Sequence, residues 1–193
     1  ACHLARGVAT TTHYSKRPRH TDQRWDDVDM ERAADATDLL IVGGGPAGLA
    51  AAIRFKQLAD AANKDYSVRV VEKAAAVGDH TLSGAVLEPR ALEELFPDWK
   101  ERGAPLHTPV VADSLAYLTE TGRVPVPLGL LPGNPQDNHG NYIVRLGNVV
   151  AWLGEQAEEM GVEIFAGYGA AEVLYHADET GAVKGVATND VGI

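Results

Sequence analysis

Apolar positions along the chain switch between short solid runs and spaced stripes, and the alternation reads as strand, helix, strand. Leu39-Leu40-Ile41-Val42 is an unbroken apolar run, as expected of a strand covered on both faces. An alanine-rich stretch from Pro46 to about Ala62 predicts a helix, and a polar connection at Asn63 to Ser67 leads into a second run, Val68-Arg69-Val70-Val71. Further on, Leu146, Val149, Val150, Leu153 and Ala157 recur at helical spacing and stop at Gly161, which predicts a helix from Leu146 to Met160. Arg90 to Phe96 reads as a short helix stopped by Pro97. Tyr142 to Arg145 reads as extended. Strand patterns follow at Val162 to Phe165, Ala171 to Tyr175 and Val183 to Thr188, with a polar turn at Asp178 to Gly181.

The remaining stretches lack a clear period. Residues 1–37 read as a poorly ordered lead-in with a short helix near Met30 to Ala34, and residues 74–90 as a loop. From Gly103 to Asn141 the chain is rich in proline and glycine, with strand-like pieces at Ser114 to Thr119 and Arg123 to Pro127. The order of elements predicts an α/β fold of the FAD/NAD(P)-binding Rossmann-like type, in which a mostly parallel sheet occupies 38–193. An inserted antiparallel, loop-rich portion comes from residues after about Ala104. Such a sheet needs more strands than are present, so the chain reads as incomplete at its C-terminus.

Charge narrows the class. With 193 residues, 45% of them hydrophobic, the chain can bury one sizeable core. Its net charge of −10 argues against nucleic-acid binding, which favours a basic face. No apolar run is long enough for a spanning helix. The first 21 residues hold Arg6, Lys16, Arg17 and Arg19 and no acid, a composition that fits the end of an organelle transit peptide or a disordered basic tail. Cys2 is the only cysteine, so no internal disulfide can form.

Chemistry enters at the turn after the first apolar run. Val42-Gly43-Gly44-Gly45-Pro46-Ala47-Gly48 carries G-x-G-x-x-G between a strand and a helix. In that context Gly43 permits the tight turn, Gly45 lets a pyrophosphate reach the backbone, and Gly48 lets helix and strand pack closely. Pro46 suits the first helical turn, and the free N–H groups there favour phosphate. Glu72 ends the second strand at roughly the ~20-residue spacing of a ribose-binding acid. A carboxylate there would repel a 2′-phosphate; the other reading is a solvated charge at a strand end.

Glu72-Lys73 followed by Gly78 resembles the Glu-Lys/Arg-x₄-Gly extension of FAD-binding folds in the glutathione-reductase and hydroxybenzoate-hydroxylase lineages. Longer stretches are more specific. KAAAVGDHTLSGAVL (73–87), ELFPDWKERGAPLHT (94–108), NHGNYIVRLGN (138–148), WLGEQAEEMG (152–161) and VKGVATNDVGI (183–193) resemble the electron-transfer flavoprotein–ubiquinone oxidoreductase family. The similarity runs from about Thr11 to Ile193 and covers roughly the N-terminal third of such a protein.

The resemblance implies one FAD, a four-iron four-sulfur (4Fe-4S) cluster and a ubiquinone site on a monotopic protein of the mitochondrial inner membrane, facing the matrix. Electron-transfer flavoprotein would be the donor and ubiquinone the acceptor, with inner-membrane lipid as the third partner. The cluster's cysteines would lie beyond Ile193. By the same resemblance, His80, Thr81, Ser83 and Gly84 lie in a loop beside the flavin ring, local turn bonding being the alternative. Arg145 would approach the phosphate–ribose region of the cofactor; the alternative is a solvated helix-start arginine. Residues 114–133 would form an apolar, membrane-contacting hairpin, with a core-buried connection as the other reading. No side chain is expected to act as a nucleophile. Trp99 and Trp152 are expected to pack in the core, and His107, His139 and His176 lack ligand spacing. Another FAD enzyme of the hydroxylase or prenyl-reductase lineage and a non-catalytic FAD-binding fragment remain as alternative functions.

Overall fold

The computed structural model describes residues 2–7, 32–127, 138–176 and 181–189. The first strands are β1 (Cys2–Gly7), β2 (Arg32–Thr37) and β3 (Leu39–Val42). Helix α1 (Pro46–Ala61) and strand β4 (Val68–Glu72) complete a β-α-β unit. Proline at the head of α1 costs no hydrogen bond, and Asn63, with φ +52, takes the left-handed turn that ends it. Next come β5 (Ala85–Leu87), α2 (Arg90–Leu95), β6 (Thr108–Pro109), β7 (Leu115–Leu118), β8 (Arg123–Val126) and β9 (Tyr142–Val144). Helix α3 (Leu146–Glu159) and strands β10 (Val162–Ala166), β11 (Ala170–Tyr175) and β12 (Val183–Thr188) close the series.

β4 is the middle of a parallel sheet in the order β10-β4-β3, and its alternation sets the layers. Val68 and Val70 face α1 and α3, in a core that includes Leu49, Ile53, Val149, Val150, Leu153 and Trp152. Val71 faces the other way, against Val186 of β12, Leu40 and Phe165. The second face is thus covered by a sheet in the order β11-β12-β1-β2, in which only the β1–β12 pairing is parallel. Three layers result: helices, parallel sheet, mixed sheet. Burying each such side chain fully contributes about 1.5–3 kcal/mol, so the apolar runs themselves fix the layering.

Polar ties hold the layers in register. The Ser67 N–H donates to Asp38 Oδ2 at 2.8 Å, as does the Ser67 hydroxyl, and these bonds hold the Asp38 carboxyl below the usual carboxylate range. Arg69 donates to Glu163 on β10, pairs with Asp35 on β2 at 2.7 Å, and donates to the Ala36 carbonyl. Its carboxylate partners, Glu163 first, raise its pKa further.

An antiparallel sheet β5-β9-β6 stands beside this body, with Ala85, Leu87, Tyr142 and Val144 packed on the core. From it the chain makes an excursion. Asn138 donates from N–H and Nδ2 to the two Asp113 oxygens, at 3.1 and 3.0 Å, and so ties its two ends. Beyond that neck, β7 and β8 pair only with each other among the described residues.

Most expected elements are present within a residue or two, and Trp99 and Trp152 are buried as expected. Three readings change. Arg32–Thr37 is a strand rather than part of a helix near Met30 to Ala34, because pairing with β1 and the bonds from Arg69 to Asp35 and Ala36 outweigh alanine's helical preference. The lead-in, read as poorly ordered, contributes two strands; residues 8–31 lie outside the described residues. The loop 74–90 contains β5, whose three residues are too few to show a period. The antiparallel portion therefore draws on residues before Ala104 as well as after it.

Candidate dinucleotide-binding site

The glycine turn sits at the C-terminal end of β3, where ligands of open parallel sheets bind. Gly43 has φ +103 and donates its N–H to the Val71 carbonyl at 2.8 Å. A Cβ on Gly48 would lie 2.0 Å from the Gly43 carbonyl oxygen and 3.2 Å from Ile41 Cγ2, so only glycine allows the helix this close to the strand. A Cβ on Gly45 would meet nothing within 4 Å. That glycine therefore faces open space rather than packing, which is the property a phosphate cradle requires.

The head of α1 is chemically bare. Gly45 is its N-cap, no side chain caps it, and no acid lies in its first turn. The first intrahelical bond runs from Leu49 N–H to the Gly45 carbonyl, at 3.0 Å, so the N–H groups of Ala47 and Gly48 precede any intrahelical acceptor. Together with the helix dipole they attract an anion. Val42, 57% exposed, and Pro46 lie open at the same rim.

Glu72 does more than end a strand. Its Oε2 accepts the Gly44 N–H at 2.7 Å, and its Oε1 accepts the Ala74 N–H at 2.7 Å. Gly44 is buried, and a Cβ there would come 3.2 Å from Glu72 Cβ. The reading of Glu72 as a solvated charge gives way to a carboxylate held by two backbone donors. Each oxygen keeps acceptor capacity for a hydroxyl. Lys73 is exposed, with no hydrogen bond or ion pair among the described residues.

Gly78 plays a packing part that motif spacing does not show. It has φ +95, and a Cβ there would lie 2.5 Å from the Gly147 carbonyl oxygen in the first turn of α3. Two helical turns further along the same face, a Cβ on Gly154 would come 3.1 Å from Val77 Cγ1. The segment after β4 is thus pressed onto a row of small residues on α3.

That crossing carries the 80–84 loop toward the start of α3. Ser83, Gly84 and Arg145 line one cleft of about 460 Å³, with His107, Thr108, Ile143 and Asn148. His80 and Thr81 are not on its wall: His80 is exposed, and the Thr81 N–H closes a turn onto the Gly78 carbonyl at 3.0 Å. Arg145 is the N-cap of α3 and exposed. The structure adds His107, Thr108 and Asn148 to the candidate residues. Nothing local in the sequence marks them, because they meet only through the pairing of Thr108 with Ile143. Among the described residues no group of three or more His, Cys, Asp or Glu side chains could hold a metal ion. No helix among them is long and apolar enough to cross a membrane.

A strand, a glycine turn, an uncapped helix and an acid-ended second strand, in that order and geometry, define a dinucleotide-binding protein of the Rossmann-like class. A family profile described as an NAD(P)-binding Rossmann-like domain matches residues 41–96. The native structure of FqzB has the same fold, with 24% identity, a TM-score of 0.53, and coverage of 78% of this chain and 32% of that one. The mouse (Mus musculus) mitochondrial electron transfer flavoprotein-ubiquinone oxidoreductase is 64% identical over 183 residues, 95% of this chain and 29% of the relative. The Caenorhabditis elegans protein of that name is 60% identical over 190 residues, 98% of this chain and 31% of the relative. This chain is a relative of the electron transfer flavoprotein-ubiquinone oxidoreductases and corresponds to an N-terminal part of them. It spans about three-tenths of the length of the curated relatives it matches.

Proposed function

We propose that this chain is the FAD-binding part of an oxidoreductase that passes electrons from reduced electron-transfer flavoprotein to ubiquinone. The observation that carries the reading is the open space over Gly45, set between the bare head of α1 and the fixed carboxylate of Glu72. Gly43 to Gly48 hold the pyrophosphate, Glu72 accepts a ribose hydroxyl, and the missing 2′-phosphate selects FAD over NADP. When bound, FAD supplies the capacity to hold one or two electrons, which a one-electron donor and a two-electron quinone both need. The chain's own residues bind and orient it, and no side chain serves as a nucleophile. Replacing Gly45 with valine places methyl groups where the phosphate belongs. We expect FAD affinity to fall roughly a hundredfold, the worth of two charge-assisted hydrogen bonds at about 1.5 kcal/mol each, with an unchanged circular dichroism spectrum. A Gly45→Val protein that binds FAD like the wild type would sink the reading.

The same relationship and the excursion support a location. Tyr117 pairs with Val124 across the β7–β8 hairpin and Leu115 with Val126, so one face carries four apolar side chains. Tyr117 is 70% exposed and Val124 56%. That face suits the lipid interface of the mitochondrial inner membrane on its matrix side, with Tyr117 at headgroup depth. Leu128, Leu130 and Leu131 of the expected 114–133 hairpin lie outside the described residues. Tyr117→Asp with Val124→Asp should weaken liposome partitioning of the full-length protein by roughly tenfold or more, two apolar contacts having become charges. Equal sedimentation of variant and wild type with the vesicles would refute interfacial contact by this face.

The 4Fe-4S cluster of the proposed whole protein draws its ligands from elsewhere. Cys2 alone cannot supply four thiolates.

A further inference from the structure

The root of the β7–β8 hairpin is built as a closed frame of hydrogen bonds. Where the chain leaves the antiparallel sheet, the Val110 N–H donates to the Asn141 carbonyl at 2.8 Å. Asn141 donates twice to Asn138, from N–H to the carbonyl at 2.9 Å and from Nδ2 to Oδ1 at 3.2 Å, across a turn that Gly140 allows with φ +87. Asn138, its amide so oriented, donates from N–H and Nδ2 to the two Asp113 oxygens. Asp113 lies three residues beyond Val110, so the bonds cross to the second strand and return to the one they left.

Packing does not fix the hairpin's attitude among the described residues. Residues 111–114 belong to no helix or strand, and each has two soft backbone dihedrals. None of Leu115, Tyr117, Val124 and Val126 is among the side chains packed on the core. A single hydrogen bond at the root would leave rotation about itself; a carboxylate that accepts two donors from one residue restrains it. Direction matters here, because an apolar face enters a lipid interface only when it lies along the interface plane.

We propose that Asp113 is a positioning residue for lipid contact: its two-oxygen hold on Asn138 sets the angle at which the β7–β8 face leaves the body of the protein. The proposal rests on the membrane reading above and adds to it a residue outside the apolar face.

The test measures angle and contact separately, in full-length protein with its cofactors bound. Spin labels carried on unnatural residues at Thr121, in the hairpin turn, and at Glu101, on the body, report attitude as a distance by pulsed electron resonance; both positions are exposed. Sedimentation with phosphatidylcholine vesicles reports contact. The wild type should give one narrow distance. Asp113→Ala should widen the distribution about twofold and weaken partitioning roughly fivefold, the scale of exposed charge-assisted bonds, with flavin content and thermal midpoint unchanged. Asp113→Asn, which keeps one acceptor oxygen, should fall between. Asn138→Ala added to Asp113→Ala should change little more, since both act through one contact. An unchanged distance distribution in Asp113→Ala would overturn the proposal, as would flavin loss in step with partitioning, which marks general damage. Tyr117→Asp with Val124→Asp isolates the membrane reading. If that pair sediments like the wild type, the lipid face is refuted whatever Asp113 does. If the pair loses partitioning and Asp113→Ala does not, the face stands and the positioning role is overturned.

Discussion

Gly48→Ala is expected to cost this protein about 3 kcal/mol of stability and its bound FAD together. The added methyl would stand 2.0 Å from the Gly43 carbonyl oxygen, more than 1 Å inside contact distance, and Ile41 closes the other side at 3.2 Å. The carbonyl cannot swing away, being backbone in the turn, and Ile41 Cγ2 is a β-branch methyl that moves only with the stiff χ1 of its residue. Relief must come from moving α1 off the sheet, which loosens Leu49 and Ile53, both fully buried. Overpacking of a close contact usually costs about 1–3 kcal/mol, and a backbone obstacle belongs at the upper end. Shifting the turn also turns the N–H groups of Ala47 and Gly48 away from the proposed phosphate position. A urea midpoint and a flavin-to-protein ratio check both parts. Gly43→Ala serves as the control: its Cβ meets nothing within 4 Å, so it reports only the strain of φ +103. A Gly48→Ala midpoint no lower than that of Gly43→Ala would show the contact to be unimportant.

Gly78→Ala is the second large effect, and it acts at a distance from the phosphate cradle. Two penalties coincide there, φ +95 and a Cβ 2.5 Å from the Gly147 carbonyl oxygen. About 1–2 kcal/mol for the left-handed backbone and a similar amount for the overlap give a loss of roughly 3 kcal/mol. Gly147→Ala is expected to be milder, because its Cβ would sit 3.1 Å from the Gly78 carbonyl oxygen and its φ is not in the left-handed region. Thermal unfolding of the three proteins should order them wild type, Gly147→Ala, Gly78→Ala. The reverse order of the two variants would remove the packing account of Gly78.

How much of this was legible beforehand depends on the distance over which each feature is encoded. The β-α-β unit is local: apolar runs, Pro46, the glycines and Glu72 lie within 34 residues, Leu39 to Glu72, and each carries its reason in its own chemistry. Helix α3 was equally plain from its stripe. β2 was misread because alanine's preference is weak against strand pairing and the Arg69 bonds, which come from residues 30 or more positions away. The purpose of Gly78 was half legible. Its spacing from Glu72 marked a glycine turn, but its partner, Gly147, lies far along the chain and is an ordinary helical glycine by sequence. The cleft was least legible of all. Ser83, His107 and Arg145 come from three separate segments, joined only by the short β5-β9-β6 sheet.

Glu72 gives the site a mechanical property as well as a chemical one. One carboxylate spans two strips of backbone, gripping Gly44 on the phosphate side and Ala74 on the side that leads through Gly78 to α3. The side chain acts as a crossbar, one oxygen accepting from each strip at 2.7 Å. In the proposed site, a ribose hydroxyl bonded to that carboxylate would share it with the Ala74 N–H, at the start of the segment that runs to Ser83 and Gly84. The proposed sugar-binding end of the site and the segment leading to the far cleft are thus joined through one side chain.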